Sequence, residues 1–234
     1  MLSHAALLPI FSSPRVKRRL VLLGAPGSGK GTQAEMITRQ FGIPVTSPGA
    51  ILRREKDLGT PLGQETAEVL QLGGLVSDKI IVGLIEDWLR LHGGHGFVFD
   101  GFPRTLPQAE SLMSILTRLR TALDLAIWLE VSEQTVRDRI TSRLQCGECG
   151  FTTSVKSAKF AERPVCPYCD GPLVRRNDDD LRVLQTRLSE FETKTQPLAT
   201  FYGKISILHR IDGNRDRETV FSDISRLIEG KAPA

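Results

Sequence analysis

No run of about 18 consecutive apolar residues occurs in the chain, so no segment reads as a membrane-spanning helix. No acidic residue precedes Glu35. No cysteine lies outside the stretch Cys146 to Cys169. Internal repeats and low-complexity segments are also missing. What remains is ordinary for a globular protein: 234 residues, 40% hydrophobic and 25% charged. That length suits one sizeable domain, or one core with small insertions.

The basic balance is local. Arg15, Lys17, Arg18 and Arg19 all fall in the first 19 residues, and taking these four from 31 Lys+Arg leaves 27 against 27 Asp+Glu. The excess is therefore a tail, and a nucleic-acid patch built into the fold is not indicated. The tail, residues 1–18, has two readings. It is a disordered extension (or an over-called start), or it is an organelle transit peptide, since it is free of acid and ends in basic residues. A secretory signal fits poorly, because Pro9 breaks the apolar stretch Ala5–Phe11, which precedes the charges.

Along the chain, strand and helix patterns alternate. Leu20–Leu23, Phe97–Asp100 and Leu125–Val131 read as buried parallel strands. Helical patterns cover 29–41, 60–72, 77–91 and 105–119, with Ser77 expected as an N-cap and Pro107 in a first turn. Ser132 is expected to cap a helix to about Leu144. A long helix is expected from Asp179 to Tyr202, then a strand Ile205–Ile211 and a helix Glu218–Ile228. This order implies an α/β fold, a parallel sheet covered on both faces.

Between the first strand and the first helix lies Gly24-Ala-Pro-Gly-Ser-Gly-Lys-Gly-Thr32. Glycines let the backbone turn a nest of N–H groups toward one anion. The helix start adds its positive end, and Lys30 adds a full charge. The usual phosphate-loop pattern places Ser or Thr directly after the Lys. Here Gly31 intervenes and the hydroxyl comes at Thr32. Asp100 ends a buried strand, at the edge that faces a ligand crevice, where a carboxylate can hold the waters of Mg²⁺. The four cysteines read Cys146-x2-Cys149 and Cys166-x2-Cys169, with 16 residues between the pairs. This is Cys₄ zinc-ribbon spacing, a closed structural site; disulfides are the alternative.

The loop at 24–32, with Gly31 before Thr32, resembles the adenylate kinase family. So does Asp100-Gly-Phe-Pro-Arg-Thr105 with Gln108 beyond it. The likeness covers about residues 20–230. It implies a parallel-sheet phosphate-loop core (19–46, 77–141 and 180–230), a helical NMP-binding insert (47–76) and a zinc-ribbon-like lid (142–179). The implied reaction takes ATP and AMP to two ADP with Mg²⁺. The implied partners are these nucleotides alone, with neither nucleic acid nor membrane. The implied state is a cytoplasmic monomer, or an organellar one if residues 1–18 are a transit peptide.

The resemblance also assigns residues. Gly27, Ser28, Gly29, Lys30, Gly31 and Thr32 would bind ATP, with Arg139, Arg143, Thr152, Thr153 and the backbone of Arg215. AMP would meet Pro48, Arg53, Gly74, Leu75, Val76, Gly101, Arg104, Gln108, Arg176 and Arg187. Gln108 would read the adenine edge. Lys30, Asp100, Arg104, Arg139, Arg143, Arg176 and Arg187 would act on the transferring phosphates. Arg139 and Arg143, four apart on one expected helix, would share a face. Asp178 and Asp179 match a lid acidic pair beside Arg176. One segment departs: the family reads Ser-Thr-Gly-Asp or close to it, and this chain has Ser47-Pro-Gly-Ala50. Pro48 offers neither hydroxyl nor N–H, and Ala50 removes a carboxylate. A GTP-using or other monophosphate kinase, or a catalytically weakened nucleotide-binding relative, are the alternative functions.

Overall fold

The computed structural model describes residues 16–155, 164–175 and 179–232. Five parallel strands form the central sheet. In chain order they are β1 (Arg19–Gly24), β2 (Val45–Thr46), β3 (Phe97–Asp100), β4 (Leu125–Glu130) and β8 (Leu208–Asp212). Their spatial order is β2-β3-β1-β4-β8. With β1 central, the chain builds outward on both sides of it. The carboxyl ends of the middle strands therefore border the topological switch point, the place where parallel sheets bind ligands.

Alternation along the strands divides the core. Leu20 and Leu22 face one side with Val98, Leu125, Ile127 and Leu129. There they meet Ala34 and Ile37 of α1 (Lys30–Phe41) and Val220, Ile224 and Ile228 of α9 (Arg217–Ile228). Val21 and Leu23 face the other side with Phe97, Phe99, Ala126 and Trp128. That side is covered by α4 (Asp78–His92), α5 (Leu106–Arg118) and α8 (Pro197–Lys204). A strand buried on both faces reads as an unbroken apolar run, as these do.

Between β2 and α4 the chain forms α2 (Pro48–Asp57) and α3 (Pro61–Gln71), each with proline in its first turn. Sequence patterning missed α2. Its start is unmarked except by Pro48, whose fixed φ suits the first helical position. Thr60 caps α3 by accepting from the Gly63 N–H. Ser77 stands at the N-cap of α4, but its side chain makes no capping bond.

The second insertion follows α6 (Glu133–Ser142). A three-stranded antiparallel sheet, β6-β5-β7, combines β5 (Arg143–Cys146), β6 (Thr152–Ser154) and β7 (Leu173–Val174). Its small core is Leu144, Cys146, Cys166 and Leu173. Tyr168 reaches back to α1, where Arg39 Nη1 donates to its hydroxyl at 2.7 Å.

Two expected elements differ. The helix expected over 179–202 is α7 (Leu181–Glu190), a π-turn (Phe191–Thr195) and α8. Pro197 has no N–H to continue the ladder, and the Gln196 N–H bonds five residues back, to Phe191 O at 2.9 Å. The last strand begins at Leu208 rather than Ile205, after a turn in which Ser206 has φ of 58°.

Candidate active site

At the end of β1, a side chain on Gly24 would place its Cβ 2.6 Å from the Leu129 carbonyl oxygen, so only glycine fits. Gly29 has φ of 100° and stands at the N-cap of α1. It offers no side-chain cap, and α1 has no acid in its first turn. The N–H groups opening α1 are thus left for an outside acceptor.

Lys30 lies back over this loop. Its Nζ donates to Gly24 O at 2.7 Å, Ala25 O at 2.8 Å and Ser28 Oγ at 3.2 Å. Burial lowers its pKa to about 7; the negative charge of Asp100 works against that fall, while Arg104, Arg187 and Arg143 add to it. Those four side chains therefore share one electrostatic neighbourhood with the lysine. Asp100 stands against the loop: a Cβ on Gly31 would lie 3.2 Å from Asp100 Oδ2. The glycine that separates Lys30 from Thr32 makes room for that carboxylate.

The arginines arrive from separate elements. Arg139, on α6, donates from Nη1 to Ser28 O at 3.2 Å and from Nη2 to Gly213 O at 2.8 Å, and burial lowers its pKa. Arg143 does not share a helix face with it. The helix ends at Ser142, and Arg143 is extended, opening β5. Its Nε donates to Asp179 Oδ2 at 2.7 Å, and its other end also pairs with that carboxylate. Arg187 of α7 approaches the same Asp179 at 3.8 Å. A nearly buried carboxylate thus holds two arginines together. Arg176 and Asp178 lie outside the described residues.

Beside these charges is an open pocket. Pro48, Gly49, Leu52 and Arg53 of α2 line it, with Leu70 and Gly73 to Val76 at the end of α3, and Ile81. Gly101, Arg104, Gln108 and Arg187 complete it. Every described residue expected to meet AMP is in this lining. Arg104 is fixed from both ends: Nε donates to Gly101 O at 2.8 Å, and Thr195 Oγ1 donates to Arg104 O at 2.9 Å. Thr195 was not singled out from sequence, because it lies within an apparently regular helix.

Thr152 and Thr153 lie on β6, opposite Gln145 and Leu144. Arg215 follows β8, and its side chain pairs with Asp223 and Asp212 O. The four cysteine sulfurs lie within 4.8 Å of one another, and none is disulfide-bonded. Tetrahedral zinc with Zn–S near 2.3 Å needs sulfurs about 3.8 Å apart, so the set fits one such ion. Backbone N–H groups of Cys149 and Glu148 help lower the Cys146 pKa to about 7, while burial pushes that of Cys149 up to about 12 and the neighbouring thiols help raise that of Cys169, so the fit to a metal rests on the spacing of the sulfurs. Among the described residues no helix is long and apolar enough to cross a membrane.

A parallel sheet with a phosphate loop, an acid on the neighbouring strand, a ring of arginines and an adjoining pocket define a nucleoside-monophosphate kinase, a phosphotransferase. Comparison with known proteins names the family. The model described as adenylate kinase matches residues 22–207. An adenylate kinase of Pelobacter propionicus is 42% identical over 212 residues, 90% of this chain and 96% of its own length. That of Geobacillus sp. is 41% identical over 212 residues, with 90% and 98% covered. That of Archaeoglobus fulgidus is 38% identical over 211 residues, with 90% and 97% covered. The chain belongs to the adenylate kinase family.

Proposed function

We propose that the chain transfers the terminal phosphoryl group of ATP to AMP, reversibly and with Mg²⁺, giving two ADP. The observation that supports this best is the junction of loop and pocket: Lys30 feels Asp100, Arg104, Arg143 and Arg187 at once, and two of these arginines line the adjoining pocket. Phosphoryl transfer requires alignment and charge neutralisation more than covalent chemistry from the protein. The acceptor phosphate is already ionised near neutral pH, so no general base is needed.

In this reading Gly27 to Thr32 hold the ATP phosphates, and Arg139, Arg143, Thr152, Thr153 and the Arg215 backbone complete the donor side. Arg53, Arg104 and Arg187 grip the AMP phosphate, with Arg176 as a further member. Gln108 reads adenine, and Gly74 to Val76 lie along it. Asp100, against the loop at Gly31, would hold the waters of Mg²⁺, which supplies neutralising charge to the phosphates. Cys146, Cys149, Cys166 and Cys169 would hold zinc, which supplies structure and no reaction step. The same reading makes 47–76 the NMP-binding insert, 142–179 the zinc-bearing lid, and 19–46, 77–141 and 180–230 the core. It makes the molecule a monomer, because one chain carries both nucleotide sites. The compartment is read as cytoplasmic, with an organelle as the alternative if residues 1–18 are a transit peptide.

One observation supports a weaker variant of the same chemistry. Pro48 is buried, lines the acceptor pocket and supplies no polar group to it. A coupled assay over a panel of monophosphates and triphosphates tests the proposal. ATP with AMP is expected to be the preferred pair. Turnover with another pair and none with ATP and AMP would overturn it.

A further inference from the structure

Behind the acceptor pocket runs a part-buried hydrogen-bond network centred on the buried Gln108. Gln108 is 2% exposed, and both ends of its amide are engaged. Its Oε1 accepts from the Arg104 backbone N–H at 2.7 Å. Its Nε2 donates to Asp78 Oδ1, also at 2.7 Å. The other oxygen of Asp78 accepts from Thr105 Oγ1 at 3.0 Å. That hydroxyl in turn accepts the Gln108 backbone N–H at 3.2 Å.

These partners have fixed polarity. A backbone N–H can only donate, and a carboxylate can only accept. The Gln108 amide therefore has one permitted orientation. Turned by half a revolution, it would set its NH₂ against an N–H and its oxygen against a carboxylate oxygen. With the Gln108 amide itself buried, both clashes are costly.

We infer that Asp78 is a positioning residue that selects the acceptor base, by fixing which end of the Gln108 amide is the donor. The inference rests on the reading that this pocket takes the base of a nucleoside monophosphate. An amide nitrogen carries two N–H groups and its oxygen two lone pairs, so one of each remains for the pocket that Gln108 lines. A 6-amino purine presents an N–H donor at position 6 beside an unprotonated ring nitrogen. That pattern complements the fixed amide. A 6-oxo purine presents an acceptor at position 6 beside an N–H, the reverse order. To receive it, Gln108 would have to turn against Asp78 and Arg104, or leave buried polar groups unpaired. Discrimination of that kind is strong because the wrong partner leaves the site unsatisfied.

The residue escapes a sequence reading. Asp78 follows an N-cap serine and sits in the first turn of α4, where an acid already suits the helix dipole. Only the fold brings it to Gln108, 30 positions away.

The test measures kcat/KM for AMP and for inosine monophosphate, with ATP as donor, in the wild type, Asp78→Asn, Thr105→Val and Gln108→Ala. Asparagine keeps the size of Asp78 but can face either end of the amide. Asp78→Asn is expected to narrow the AMP preference by about tenfold or more, with inosine monophosphate turnover rising and KM for ATP unchanged. Thr105→Val, which frees one carboxylate oxygen, is expected to narrow it in the same direction by less. A merely structural role would lower both acceptors together and leave the ratio alone. If Gln108→Ala leaves the ratio unchanged, the reading of the pocket itself fails. If Gln108→Ala collapses the ratio while Asp78→Asn and Thr105→Val do not move it, the role of Asp78 is overturned. Should Asp78→Asn not fold, the Thr105→Val ratio decides alone.

Discussion

Lys30 is held by three oxygens of its own loop, and its pKa is lowered to about 7 by burial. Phosphate oxygens favour the charged form, so the pKa rises when nucleotide binds. Above pH 7 the free lysine is increasingly neutral, and binding must take up a proton. Below pH 7 it is already charged, and uptake by this group vanishes. Calorimetric titration with ATP at pH 8, in buffers of different ionisation enthalpy, is expected to show uptake approaching one proton. Lys30→Arg, which stays charged, should abolish that component. Equal uptake in both proteins would contradict the assignment. Pro48 and Ala50 are the other residues whose effect is open to measurement. The double change Pro48→Thr and Ala50→Asp restores a hydroxyl at the pocket wall and an acid in the first turn of α2, which has none. Contacts of this kind are worth about 1–3 kcal/mol each. Two such contacts should raise kcat/KM for AMP by about thirtyfold or more, with little change for ATP. An unchanged value would count against any cost from Pro48 and Ala50.

Elements were legible where local pattern and local structure agree. The loop at 24–32, the apolar strands and the cysteine pairs each state their conformation within a few residues. Failures came where a remote partner decides. Arg139 and Arg143 look like one helix face at a spacing of four. The chain instead leaves α6 at Ser142, because Arg143 pairs with Ser154 in the small sheet and with Asp179. Pro197 ends a helical ladder that its neighbours would otherwise extend, and the π-turn absorbs the mismatch. Helix α2 lacks a side-chain cap, so only its packing on α3 and the pocket declares it. The insert carrying the cysteines has a core of a few residues, too little to hold it without help. Metal analysis of the purified protein should find about one zinc per chain. Stripping it with a chelator and a thiol reagent should lower thermal stability and nucleotide turnover together. Fewer than about 0.5 equivalents in carefully handled protein would argue against the site.

For the molecule as a whole, sheet order places the chemistry. With β1 central, its loop lies beside the carboxyl ends of β3, which carries Asp100, and β4. The helices of the first insertion wall the acceptor pocket, and the cysteine-bearing sheet meets α1 through Arg39 and Tyr168. None of these approaches is readable along the chain, since each joins residues far apart in sequence. In the proposed function they would put donor and acceptor phosphates on either side of one charged cluster. The central claim is that this cluster moves a phosphoryl group between the two. Phosphorus NMR of ATP, AMP and Mg²⁺ with the purified protein tests it most directly. The account predicts that ATP and AMP fall together while two ADP form for each AMP consumed, and that ADP alone runs the reaction backward. Loss of ATP with release of inorganic phosphate and no loss of AMP would contradict it.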